Sequence, residues 1–200
     1  MSARTVTVGL ASDVRTLRIN YEGELGWELY HPICYNVHLF EEITRAGLQH
    51  GLAMAGYRAI ESLRLEKSYR AMYRDLNIEH TALESGLDRF VCFDKEYVGR
   101  DALERQRASG LTRRLVTLAV ETVDADAFMN EGVYRGDTLV GRVTSGAHSH
   151  TFGHCLSMAY LQAQHAGVGT ELEIPLLGTR RKATVIADSP YDPHNERPRL

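Results

Sequence analysis

The sequence predicts an α+β fold: a partial α+β domain over residues 1–110, then a small antiparallel β-barrel or sandwich over residues 111–200. Three observations predict it. Before Gly110, strand-like alternation gives way to helix-period stretches. After Gly110 the chain breaks into five or six short β-type runs punctuated by glycine. The 200 residues suffice for one large domain or two small ones.

The elements follow in order. "VRTLRINYEGELGWELYHP" reads as two strands joined by a turn around Glu22 to Gly26. Leu17, Ile19 and Tyr21 alternate with polar residues in the first, and Trp27, Leu29 and His31 in the second, which Pro32 ends. "NVHLFEEITRAGLQHG" reads as an amphipathic helix with Val37, Phe40, Ile43 and Leu48 on its buried side and Gly51 as its stop. A second helix is expected from about Ala55 to Lys67, and a short charged one in "VGRDALERQRASG". The β region then reads "RRLVTLAVE", "GVYRGDTLVGRVTSG", "CLSMAYL", "TELEIPLLG" and "RRKATVIAD", with Gly136 and Asp137 in a hairpin turn. "DSPYDPHNERPRL" is expected to lie extended on the surface. Few strands in the first part imply a thin sheet with an exposed edge, which hints at a partner or at further sequence before Met1.

Composition excludes several function classes. A net charge of -3 argues against general nucleic-acid or membrane-surface binding. No segment approaches the roughly 18 apolar residues of a membrane span. The N-terminus lacks the apolar core of a secretory signal. Cys34, Cys92 and Cys155 lie far apart with no paired spacing, so free thiols and a cytoplasmic location are expected. Dinucleotide fingerprint, phosphate loop and nucleophile elbow are all absent, so no flavin or nicotinamide site is expected in this chain.

Chemistry concentrates in a few places. Glu24 sits between Gly23 and Gly26 with Tyr21 and Trp27 nearby. A carboxylate takes two parallel hydrogen bonds from a planar donor pair such as that of a pterin or guanine, and small neighbours let a flat molecule approach. An inert turn acid is the alternative. Arg64 stands three residues after Glu61 on a helix, spaced for an ion pair, and with Arg58 is also spaced to hold a carboxylate. Tyr69 and Tyr73 share a helical spacing that usually means packing. His148 and His150 share one side of a strand, but no further ligand group accompanies them or His154, and no metal is expected.

The order of these motifs resembles the glycine-cleavage T-protein (aminomethyltransferase) family. "NYEGELGWELYHP" resembles its YTGE-x-G-x-E-x-x-x-P motif, "AGYRAIESLRLEKSYRAMYRDL" its LRLEKG segment, and "TALESGLDRFV" its TPLEAGL segment. "VGRDALERQRASGLTRRLVTLAV" and "GDTLVGRVTSGAHSHTFGHCLSMAYL" match two further family segments in the same order. The wording is nearest the C-terminal folate-binding region of dimethylglycine and sarcosine dehydrogenases. The resemblance implies a folate-binding α+β domain, a C-terminal barrel, tetrahydrofolate as cofactor and one-carbon transfer as activity. It implies that Glu24 binds the pterin ring, that Arg64 lines the folate site and that Tyr73 touches the ligand, while Tyr21 is expected to pack on it as a nearby flat ring. Arg197 or Arg199 is then placed to meet the glutamate tail.

Three departures stand out: Glu22 for Thr, Ser68 for Gly and Ala82 for Pro. The first leaves the Glu24 carboxylate in place, and the others alter loop stiffness. The family's acting aspartate belongs to a stretch that precedes the YTGE-type motif and has no counterpart in these residues. Catalytic residues therefore stay unassigned, and the chain is expected to be incomplete alone. The rival expectation is a non-catalytic docking or partner subunit derived from the same family.

Overall fold

The computed structural model describes residues 2–122 and 124–199. Its contacts divide the chain into two units. One comprises the chain up to Ile60 with the C-terminal segment from His194, the other Glu61–Pro193.

The first unit is a three-stranded antiparallel sheet of β1 (Ala3–Val8), β2 (Ala11–Leu17) and β3 (Glu28–Tyr30), followed by α1 (Asn36–Gly47). β1 is unforeseen in the sequence. It is an edge strand exposed along nearly its whole length, so no buried periodicity marks it. The expected strand pair is shorter than its alternation suggests. Ile19 and Tyr21 fall in the connection, and Trp27 and His31 lie outside β3. Gly51 takes the left-handed conformation expected of a helix stop, after a short 3-10 extension.

The buried face of α1 differs from the expected one. Leu39 is the helix residue that packs on Ala11 and Val14, with Val8, Leu29 and Tyr35 around them. Val37, Phe40 and Leu48 are more than half exposed, and Ile43 is exposed too. Leu39 and Phe40 are adjacent, so about 100° of helix separates them, and the small sheet accommodates only one of the two faces.

The second unit is a closed antiparallel barrel, in the order β4-β7-β6-β5-β8-β9. Its strands are β4 (Arg113–Val120), β5 (Gly132–Arg135), β6 (Thr138–Ser149), β7 (His154–Gln162), β8 (Glu171–Leu176) and β9 (Thr179–Ile186). All five β-type runs of the sequence are strands of it, and Gly136 turns the β5–β6 hairpin with φ 60°. Val116, Leu118, Val120, Ala159 and Leu161 point inward and fill the barrel with Val143, Ile174 and Val185. Closure removes the edges that an open sheet of this size would expose.

The outward faces of β4 and β7 are buried as well. Leu115, Leu156, Met158 and Tyr160 pack there with Leu65 of α2 (Tyr57–Glu66). This double burial explains why "LVTLAV" and "CLSMAYL" read as apolar runs rather than alternations. α3 (Arg100–Ser109) ends at Gly110, whose φ is 82°. The chain after β9 is pinned rather than loose up to Asp192. The buried Lys67 ammonium donates to the carbonyls of Tyr191 and Asp192 at 3.1 and 2.6 Å. No helix among the described residues is long and apolar enough to cross a membrane.

Candidate functional site

The connection between β2 and β3 forms a tight turn. Gly23 has φ 87°, a conformation that costs other residues about 1–2 kcal/mol, and its N–H donates to Asn20 Oδ1 at 2.9 Å. A Cβ on Gly26 would stand 2.9 Å from Asn20 Cβ and 3.1 Å from the Ile19 carbonyl oxygen. Both glycines are therefore required by geometry, and they present Glu24 between them.

Glu24 is not a lone turn acid. Arg197 Nε donates to its Oε2 at 3.1 Å and to Oε1 at 3.4 Å, with Nη2 also 3.4 Å from Oε1. Both side chains remain about half exposed. Two residues that the sequence places at opposite ends of a ligand thus meet in one unit. Tyr21, beside them in sequence, donates its N–H to the Glu22 carboxylate at 3.0 Å. That is a local use for the acid standing where the family motif has threonine.

In the second unit, the "LRLEKS" segment is a set of buried anchors. Arg64 is wholly buried. It donates to Asp75 Oδ2 at 2.7 Å, Glu61 Oε2 at 3.0 Å and the Tyr69 carbonyl at 3.0 Å. The Glu61 pairing is the one its spacing predicts. Glu66 accepts from the Ser149 and Thr151 hydroxyls at 2.6 and 2.8 Å, which ties α2 to the end of β6. Ser68 sits at φ 52° where the family segment has glycine, and its hydroxyl lies 2.8 Å from both Thr117 Oγ1 and the Ser189 N–H. Hydrogen bonds hold a conformation that glycine would reach without strain.

Asp75 is the centre of this network, and no motif in the sequence singles it out. One oxygen accepts from Arg64 and from the Ala71 N–H at 2.8 Å. The other accepts from the Ser145 hydroxyl at 2.6 Å and from Thr144. Its carbonyl accepts from the Tyr160 hydroxyl at 2.8 Å. Thr144, Ser145 and Tyr160 lie on β6 and β7, so only the folded barrel brings them to Asp75.

Tyr73, by contrast, stands at the surface, 88% exposed, with φ 66°. It lines a largely apolar cleft of about 640 Å³ with Met72, Leu76, Ile78, His80 and Ser85. The His80 ring stacks on Tyr160 with centroids 3.4 Å apart, and Tyr160 OH is 2.7 Å from Ser85 Oγ. Burial, and then the charge of Arg113, lower the pKa of His80 below its ordinary value. An imidazole so placed favours the neutral form, which accepts a proton or a hydrogen bond. Arg64 lies beneath the surface, so within this unit Tyr73 faces the cleft and Arg64 does not.

The rings of His148 and His150 meet edge to face at 5.1 Å. Among the described residues no three His, Cys, Asp or Glu side chains gather as metal ligands.

An α+β unit with a carboxylate-bearing glycine turn, joined to a six-stranded closed barrel, defines the class of this protein. Residues 1–95 match the family model described as the GCVT N-terminal domain, and residues 113–192 match that of the glycine cleavage T-protein C-terminal barrel domain. The chain belongs to the glycine-cleavage T-protein family. It is 40% identical to mitochondrial dimethylglycine dehydrogenase of Mus musculus over 88% of its own length and 20% of that protein. It is 35% identical to an aminomethyltransferase of Thermoanaerobacter pseudethanolicus over 87% of its length and 47% of that enzyme. The crystal structure of the glycine cleavage system aminomethyltransferase T from Bartonella henselae superposes with a TM-score of 0.82 at 24% identity, over 90% of this chain and 50% of that one. The chain thus spans about a fifth of the dehydrogenase and about half of each aminomethyltransferase.

Proposed function

We propose that this chain is a tetrahydrofolate-dependent one-carbon transfer module of the aminomethyltransferase type, completed by further protein. The observation that carries the reading is Glu24. It is an exposed carboxylate on a turn of two required glycines, with an arginine balancing its charge. It occupies the family's pterin-binding position. A carboxylate offers about four lone-pair sites. Such a carboxylate accepts the paired N–H donors of a pterin ring in a charge-assisted, bidentate bond.

In this reading Glu24 and Arg197 form the polar part of a pterin site within the first unit, and Tyr21 supplies an adjacent ring. Within the second unit, Tyr73 borders an apolar cleft with room for a flat ring. Arg64 is a positioning residue that fixes the segment leading to Tyr73. The folate-binding part is residues 1–110 and the barrel is residues 111–200. Catalysis is mainly the holding of a folate nitrogen beside an iminium or formaldehyde carbon. The acid that moves the proton is not among the residues assigned. The two exposed thiols, Cys34 and Cys92, favour a reducing compartment such as the cytoplasm.

Calorimetric titration with 5-formyltetrahydrofolate, on the chain and on Glu24→Gln, tests this. Binding that weakens at least about tenfold in the variant supports the reading, since a charge-assisted bidentate pair is worth that much. Equal binding in both removes Glu24 from the site. A second reading, a non-catalytic docking subunit, is favoured by one observation: the exposed Val37 and Phe40 on α1, with Leu48 just after it. Absence of folate binding by the folded chain, together with self-association or complex formation lost in Phe40→Glu, selects it.

A further inference from the structure

The outer face of the barrel carries a cleft distinct from the apolar one that Tyr73 borders. Leu161 points into the barrel, so its neighbours Tyr160 and Gln162 on β7 face outward. Strand register sets an arginine beside each of them. Arg113 of β4 pairs with Gln162 on one side of β7, and Arg142 of β6 pairs with Tyr160 on the other. Cross-strand partners share a face of the sheet, so both guanidiniums flank the same strip of β7. Together with His80 these four residues line a cleft of about 390 Å³. All of them belong to the second unit.

The cleft is cationic. Among the described residues its lining holds two guanidiniums and no carboxylate. The acids that accompany them stand outside the lining: Glu84 is 3.8 Å from Arg113 Nε, and Glu79 is 3.3 Å from Arg142 Nη2. Each pairing engages one nitrogen of a fork that carries five N–H donors. The aromatic wall is rigid. The His80 ring lies flat on Tyr160, and the Tyr160 hydroxyl is held by Ser85 and by the Asp75 carbonyl. His80 Nδ1 is buried and has no hydrogen-bond partner among the described residues, so the imidazole carries an unmet polar demand in this wall.

The donor arrangement selects among anions. β4 and β6 stand about 10 Å apart across β7, so two extended arginines close on a small group from opposite sides. A carboxylate presents two oxygens in one plane. A phosphate presents at least three in a tetrahedral array, enough to meet both guanidiniums and the Gln162 carboxamide between them. We propose that this cleft binds a phosphate group, inorganic or carried on a small molecule, held between Arg113 and Arg142 over Gln162 and against His80. The assignment uses the second unit alone and is independent of the folate reading.

His80 reports occupancy. Burial, then Arg113, lower its pKa, and Arg142 acts the same way against Glu84 and Glu79. An anion between the arginines opposes them, so bound phosphate raises it. The probe is inorganic phosphate, titrated against the full chain at ionic strength fixed with chloride, with the His80 ring protons followed by NMR. Saturable binding is expected, with the His80 midpoint moved to higher pH and affinity weakened at least about tenfold in Arg142→Gln. Arg142 is half exposed, so the variant keeps its fold, which an unchanged melting curve verifies. Arg113→Gln carries the same expectation should that curve shift. Glu79→Gln removes a competing acid and should bind phosphate at least as tightly as the parent chain. Absence of saturable binding, an unmoved His80 midpoint, or equal binding in both arginine variants overturns the proposal. So does acetate that saturates the cleft at the same concentration as phosphate. Glycerol 3-phosphate separates the two sources: tighter binding than inorganic phosphate supports a phosphate carried on a small molecule, and equal or weaker binding supports the free ion.

Discussion

Arg64 and Asp75, eleven residues apart in sequence, meet at 2.7 Å with both side chains wholly buried. The pair joins α2 to β6 and β7 through the Ser145 and Tyr160 hydroxyls. A buried ion pair adds little net stability over a well-packed apolar substitute, because desolvating two charges offsets their attraction. Removing one partner is different, since it strands the other charge. Asp75→Ala should therefore cost about 3–5 kcal/mol. Urea unfolding of the chain measures it. The double change Arg64→Met with Asp75→Leu should recover part of that loss, and a double variant no better than Asp75→Ala would show that the hydroxyl and backbone bonds, not the charges, carry the network.

Ser68 carries the second prediction. Its φ of 52° is strained for a side chain, and its buried hydroxyl joins Thr117 and Ser189. Ser68→Ala keeps the strain and loses the hydrogen bonds, so it should cost about 1–3 kcal/mol. Ser68→Gly loses the same bonds but relieves about 1–2 kcal/mol of strain. It should fall much closer to the parent chain. Denaturant midpoints of the two variants, compared side by side, check the order. Ser68→Ala at least as stable as Ser68→Gly would refute it.

These residues also show what the sequence could and could not disclose. The barrel was legible because its strands are short, glycine-punctuated and apolar, and closure satisfies every edge they present. The Glu61–Arg64 pair was legible because three-residue spacing on a helix brings side chains together. Asp75 was not, because its partners Thr144, Ser145 and Tyr160 are 69, 70 and 85 residues away and adjoin only in the folded barrel. The burial of α1 was misread because its apolar residues occupy more than one face, and Leu39 rather than Val37 or Phe40 meets the sheet. In the glycine turn, Glu24 was legible as a candidate from its neighbours. Its pairing with Arg197, 173 residues on, was not.

The three thiols should separate cleanly. Cys34 and Cys92 are exposed, whereas Cys155 is buried inside the barrel and receives the Ala127 N–H at 3.4 Å. Burial pushes its thiol pKa up to about 12, so at pH 8 almost none is the reactive thiolate. A colorimetric disulfide reagent should modify two thiols rapidly in the native chain and the third only after unfolding. Rapid reaction of all three would mean that the barrel opens on the time scale of the assay.

His80 gives stability a pH dependence whose sign follows from its surroundings. Burial is the main cause of its lowered pKa, and Arg113 and Arg142 act in the same direction against Glu84 and Glu79. In the unfolded chain the imidazole takes up a proton near its ordinary value of 6.5. The folded chain refuses that proton until a lower pH. Between the two values the unfolded state binds more protons, so stability falls as pH drops below about 6.5 and levels off once pH passes the folded value. His80→Phe preserves the stacking on Tyr160 and removes the titration. Thermal melts between pH 8 and 5 should show a decline in the parent chain that is shallower in the variant. Equal slopes in the two would assign the decline to the carboxylates instead and leave His80 without a part in it.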